Sequence, residues 1–93
     1  MEDSRYVLAV MRSRQHTLRY ETMLNRAGIR AAVISTPREA AIGCGLSLKI
    51  PYGDLRRVLE MWRRERPEGL AGVYLMEPGG RGRLKSVRIM GMC

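Results

Sequence analysis

Apolar and polar residues follow two different periods along the first third of the chain. The nearly continuous apolar run Tyr6–Met11 is bounded by arginines, which is typical of a central strand buried on both faces. Ser13 is a good N-cap for a helix over residues 14–27, and Gly28 suits the left-handed position after a helix. Residues 29–35 are predicted to form a second strand.

The remaining pattern repeats the order of strand and helix. Residues 46–50 alternate between apolar and polar side chains, which predicts a third strand with one buried face. Pro67 and Gly69 end the clearest amphipathic helix, and Leu70–Met76 is predicted to form a fourth strand. The helix is predicted from apolar residues at i, i+3, i+4 and i+7, namely Leu55, Val58, Leu59 and Trp62.

The order β-α-β-β-α-β defines an α+β fold, the ferredoxin-like sandwich of a four-stranded antiparallel sheet with two helices on one face. Right-handed crossovers place strands one and three in its centre. We therefore expect a ferredoxin-like domain over residues 1–78 and a basic, flexible tail over residues 79–93. Residues 84–90 alternate as a strand does, so they could add an edge strand, although disorder is favoured.

Length and charge limit the classes of function. The 93 residues fit one small domain with a net charge of +8. The tail holds four basic residues and no acidic one, which leaves +4 for residues 1–78. Such a charge suits nucleic acid, an anionic membrane surface or an acidic protein partner. The tail residues concerned are Arg81, Arg83, Lys85 and Arg88.

The cellular location is predicted from what the chain lacks. No apolar run is long enough for a membrane span, and no signal peptide is apparent, so the cytoplasm is expected and no membrane partner. Cys44 and Cys93 are the only cysteines, so no disulfide framework is implied. Together with the single histidine they are too widely spaced for a zinc site, and neither a metal nor a cofactor is predicted.

The candidate chemistry lies in the segment between strands two and three. Thr36-Pro37-Arg38-Glu39 has the form of a capping box. In it Thr36 would cap a short helical turn, Pro37 would fill the first helical position, and Glu39 would reach back. These three residues would then set the geometry of the loop that leads to Cys44.

Cys44 is the candidate reactive residue. Arg38 is the nearest cation in sequence and would favour the thiolate, which is the reactive form of cysteine. Gly43 and Gly45 lack side chains, so partners can approach the sulfur closely and unusual backbone angles are allowed. The C-terminal end of a preceding helical turn would oppose the thiolate. Spacing alone leaves a second interpretation open, in which Cys44 is a small buried apolar residue.

The segment from Tyr6 to Glu77 resembles the putative selenium/sulfur carrier protein-like family. The most specific parts are Ser35–Glu39 followed by Cys44–Leu48, with weaker support from Ala27–Ile29 and Asp54–Leu59. The resemblance implies a ferredoxin-like domain whose cysteine, here Cys44, carries sulfur or selenium as a persulfide or selenosulfide between donor and acceptor proteins. The chain departs from the family at Pro51-Tyr52-Gly53, which replaces a more acidic helix cap, and in the tail that ends in Cys93.

These observations favour a sulfur or selenium carrier, and a carrier rather than an enzyme that turns over a small substrate. The alternative is a basic interaction module that binds nucleic acid or an acidic protein through the arginines of the tail and helices. His16 could assist proton transfer near Cys44, but an exposed helix residue is the simpler interpretation. Cys93 could resolve a disulfide or persulfide on Cys44, or be an incidental exposed thiol.

Overall fold

The computed structural model describes residues 5–37, 45–65, 68–78 and 84–91, with the backbone alone described in the last range. The elements in chain order are β1 (Tyr6–Met11), α1 (Arg14–Arg26), β2 (Ala32–Ser35), β3 (Leu46–Pro51), α2 (Leu55–Glu65), β4 (Leu70–Pro78) and β5 (Leu84–Gly91). A 3-10 turn over Tyr52–Asp54 precedes α2. The predicted order β-α-β-β-α-β is confirmed, and β5 follows it.

All strand pairs are antiparallel, and the order across the sheet is β2-β3-β1-β4-β5. Strands β1 and β3 lie in the centre, as the crossover argument predicts. Of the helices that the structure describes, none has the length and apolar character needed to cross a membrane.

The N-terminal cap of α1 is the one expected from the sequence. The Ser13 hydroxyl accepts a hydrogen bond from the His16 backbone N–H at 3.1 Å. The helix ends at Arg26, and Gly28 takes a φ of +84°. The predicted strand over residues 29–35 is too long by three residues, because the N–H of Ala31 is held by the Asn25 side chain at 3.1 Å.

One face of the sheet packs against both helices. The side chains of Val7, Ala9 and Met11 from β1 are fully buried there. Trp62 of α2 stacks on Tyr20 of α1 with 6.0 Å between ring centroids, so the two helices share one core. Both helices therefore lie on the same face of the sheet.

The opposite face carries a second buried cluster. Leu8, Val10 and Met76 are fully buried there, which confirms that β1 is buried on both faces. The predicted one-sided β3 is wrong at Ser47, which lies beside Val10 in the register and is fully buried. Lys49 on the same face is exposed, so burial on this face is confined to one end of β3.

The segment after residue 83 adds a fifth strand to the four predicted. β5 pairs with β4 from Gly72 opposite Gly91 to Pro78 opposite Leu84. Of the two alternatives for residues 84–90, the structure has the edge strand rather than the disordered tail. The long β4 has backbone groups on its outer side, and the alternating sequence of β5 pairs with them.

Candidate functional site

The connection between β2 and β3 begins and ends at a closed base. Ser35 lies opposite Leu46 in the last pair of the ladder. The backbone N–H of Thr36 then donates to the carbonyl oxygen of Gly45 at 2.8 Å. The chain therefore leaves the sheet after Thr36 and returns to it at Gly45, the residue that follows Cys44 in sequence.

The Thr36 side chain reinforces this base. Its Oγ1 lies 2.6 Å from Oγ of Ser47, and either hydroxyl can donate. Ser47 is fully buried, so this contact satisfies a polar group that has no access to water. Sequence reasoning missed Ser47 because it occupies a polar position of an alternating strand. The available signal was the hydroxyl of Thr36, which stands two residues after Ile34, the register partner of Ser47.

Gly45 has a backbone conformation that L side chains rarely adopt. Its φ is +88°, while a Cβ built there would meet no atom within 4 Å. A glycine is needed here for the backbone angle and not for space. Gly45 is exposed, so the chain approaches β3 at an open surface.

Four of the seven predicted site residues lie outside the described residues, namely Arg38, Glu39, Gly43 and Cys44. The predicted capping box needs Glu39, and the predicted support of the thiolate needs Arg38, so both stay predictions. The three described members, Thr36, Pro37 and Gly45, flank this segment on its two sides. Thr36 and Gly45 are brought together by their hydrogen bond, and Pro37 is half-buried next to them.

The loop base shares one end of the sheet with the start of α1. Val10 near the end of β1 lies opposite Ser47 near the start of β3, so the residues after β1 and those before β3 are at the same end. Arg12 is exposed there, and its backbone N–H donates to the Gly69 carbonyl oxygen at 2.6 Å. A cation and the positive end of the α1 dipole thus lie at the end of the sheet where the loop is attached.

Arg12 is a candidate residue that sequence reasoning missed. It is distant from Cys44 in sequence, and only the antiparallel pairing of β1 with β3 brings the two ends together. The predicted topology contained this signal, because strands one and three are neighbours in it.

His16 is half-buried rather than exposed, so the simpler interpretation of it is wrong in that respect. Its Nδ1 lies 2.6 Å from the Ser13 hydroxyl. A Cβ at Gly69, where φ is +81°, would overlap the His16 ring, so the two residues pack closely. His16 thereby closes the N-terminus of α1, a structural role.

A cavity of about 250 Å³ lies beside His16 and is also lined by Tyr20, Glu65 and Glu68. The Tyr20 hydroxyl is buried and has no hydrogen-bond partner. Burial raises the pKa of Tyr20 well above its ordinary value, and the nearby Glu65 charge adds to the effect. The Tyr20 hydroxyl is therefore neutral. Among the described residues, those that line this cavity do not belong to the predicted Cys44 site.

The side chains of the tail arginines and of Cys93 lie outside the described residues, so the anionic partner of the tail stays a prediction. Within the described ranges, acidic and histidine side chains form no group able to hold a metal ion.

Comparison with known proteins supports the resemblance seen in the sequence. A family model described as "Putative Se/S carrier protein-like" matches residues 6–71, which include the whole connection between β2 and β3. Comparison with curated proteins gives no match, and comparison with solved structures gives none either. Because the match covers well over half of the chain, the protein belongs to the Putative Se/S carrier protein-like family.

Proposed function

We propose that the protein carries a sulfur or selenium atom on the Sγ of Cys44 between a donor and an acceptor protein. Its membership of the carrier-like family, by a match that spans the Cys44 segment, is the observation that carries this proposal. A carrier thiol of this kind must stay reduced between transfers, so we place the protein in the cytoplasm.

The transfer is a thiol exchange. The Cys44 thiolate attacks the terminal sulfur of a persulfide on the donor, a bond forms between the two sulfurs, and the sulfur–sulfur bond of the donor breaks. The donor thiolate leaves with the electron pair, so no external oxidant is needed. A selenium atom held by the donor as a selenosulfide would move in the same way, and the acceptor thiolate would repeat the step on Cys44.

The geometry around the loop base supports this role. The hydrogen bonds of Thr36 to Gly45 and Ser47 hold the two ends of the loop against the sheet. Gly45 leaves the approach to β3 open, since no side chain stands there. Arg12 and the N-terminus of α1 add positive charge at this end, which favours a thiolate and offsets the opposing helical turn predicted before Cys44.

Intact-mass measurement tests the proposal. The reduced protein is incubated with a persulfide-forming desulfurase and its cysteine substrate, and then with a selenium-loaded donor. We expect a gain of one sulfur or one selenium atom that is reversed by dithiothreitol. Cys44→Ser should abolish the adduct, and the matched thiol control Cys93→Ser should retain it. An adduct that survives Cys44→Ser, or none with several competent donors, would contradict the proposal.

A second measurement tests the positive charge near the loop. We expect Arg12→Gln and Arg38→Gln each to slow alkylation of Cys44 by iodoacetamide at neutral pH by up to about fivefold, because a smaller share of the thiol is ionised. Arg26→Gln is the matched control, since Arg26 is an exposed arginine in the last turn of α1. Equal slowing by all three changes would mean that only the net charge matters.

A further inference from the structure

An open cavity of about 340 Å³ lies at the end of the sheet opposite the Cys44 loop. The starts of β1 and β2 and the end of β3 form its walls. Lys49 is the cavity residue of β3 nearest the loop and lies three residues from Leu46, so about 10 Å of strand separates the cavity from the loop base. The cavity shares no lining residue with the loop base formed by Thr36, Gly45 and Ser47.

The cavity combines cations with aromatic rings. Arg5, Arg30 and Lys49 line it together with Tyr6 and Tyr52. The Arg5 guanidinium lies 4.1 Å from the centroid of the Tyr52 ring, and Lys49 Nζ lies 4.7 Å from that of Tyr6. These cation–π contacts position two of the three charges in advance.

The two charges that favour a bound anion are those of Arg30 and Lys49. No carboxylate of the described ranges lines the cavity. Asp54, which follows the cavity wall in sequence, does not line the cavity and pairs with Arg57 at 3.4 Å. Arg30 and Lys49 are both exposed, and like charges around one concavity repel one another. An anion bound between them would remove that repulsion.

We propose that this cavity binds a nucleoside phosphate, either as a free nucleotide or as one unit of a single strand. Arginine and lysine recognise phosphate oxygens by charge-assisted hydrogen bonds. Tyrosine rings and guanidinium planes beside them accept a flat base by stacking. The volume lies in the range of small-ligand sites and leaves room for about one nucleotide.

Titration with adenosine monophosphate, followed by two-dimensional NMR of the labelled full chain, tests this proposal. We expect saturable shifts of the amides of residues 30–32, 49, 50, 52 and 53 and of the Tyr6 and Tyr52 rings. Adenosine without phosphate should bind at least about tenfold more weakly, because it loses the charge-assisted bonds. A single-stranded adenine oligonucleotide is titrated in parallel. The ligand that binds more tightly shows whether the cavity takes a free nucleotide or one unit of a single strand.

Two variants and a matched control decide the role of the cavity. Arg30→Gln and Lys49→Gln should each weaken binding of adenosine monophosphate by about tenfold. Arg64→Gln removes the same charge from an exposed position of α2 and should leave binding within about twofold of the unchanged protein. Equal loss in the control, equal binding of adenosine, or shifts only with an acidic peptide would each overturn the proposal.

Discussion

Replacing Gly45 with alanine measures the conformational cost of placing a side chain at the base of the loop. The φ of +88° is unfavourable for any L side chain, and no atom within 4 Å would collide with the new Cβ. The expected loss is therefore the conformational term alone, roughly 1–2 kcal/mol in the free energy of unfolding. For a chain of 93 residues, each kcal/mol lowers the Tm by about 4–8 °C.

Thermal unfolding followed by circular dichroism measures this loss. Gly53→Ala is the matched control, because Gly53 also has open space around it but no left-handed φ. We expect that control to change the free energy of unfolding by less than about 1 kcal/mol. Gly45→Asn should cost less than Gly45→Ala, since asparagine tolerates the left-handed region better. A Gly45→Ala protein with an unchanged Tm, or an asparagine variant just as unstable, would refute the reasoning.

Three further predictions concern the hydroxyl pair, Tyr20 and β5. Thr36→Val leaves the Ser47 hydroxyl buried without a partner and should lower the free energy of unfolding in urea by about 1–3 kcal/mol. Ser47→Ala should lower the free energy of unfolding less when it is added to Thr36→Val than when it is made alone. Equal losses in the two backgrounds would contradict the coupling of the two hydroxyls. Tyr20→Phe removes an unpartnered buried hydroxyl and should be neutral or stabilising by up to about 1 kcal/mol. The folded protein keeps Tyr20 protonated when the unfolded chain ionises near its ordinary pKa of 10.0, so stability should fall above that pH, and less steeply in Tyr20→Phe. Parallel pH profiles would argue against this. A chain ending at Pro78 should still fold, with a lower Tm and a tendency to associate through the exposed β4 edge. Circular dichroism measures the folding and size-exclusion chromatography the association, and a chain that fails to fold would contradict the prediction.

The elements of this fold could be predicted where one residue pattern had one physical interpretation. The apolar run Tyr6–Met11 coincides with β1, because a strand covered on both faces is apolar throughout and the run has the length of a strand. Ser13 and Gly28 similarly mark the two ends of α1 by the backbone groups that they satisfy.

Other features could not be predicted, because they depend on neighbours distant in the chain. Ser47 has the polarity of an exposed position, and its burial follows from the cluster on the second face of the sheet. Arg12 reaches the end of the sheet near the loop through strand pairing alone. The cations of the cavity are separated in sequence by many residues, so no local sequence motif predicts that they lie together.

The segment after residue 83 shows a conflict between two local signals. The glycine-rich stretch before it indicates a linker, while the alternation within it indicates a strand. The backbone of β4 decides between them, since it extends to Pro78 and pairs along its length with Leu84–Gly91. The length of β4 cannot be predicted from the sequence of the segment that pairs with it.

The closed base formed by Thr36 and Gly45 has a consequence for how this protein can change. Because both ends of the loop are held at the sheet, its length is largely independent of the fold, and each doubling of the loop costs only about 0.6 kcal/mol of closure entropy. Insertions between residues 37 and 44 can therefore accumulate without unfolding the domain. The segment proposed to meet donor and acceptor is thus the one whose length selection can change at the smallest cost in stability.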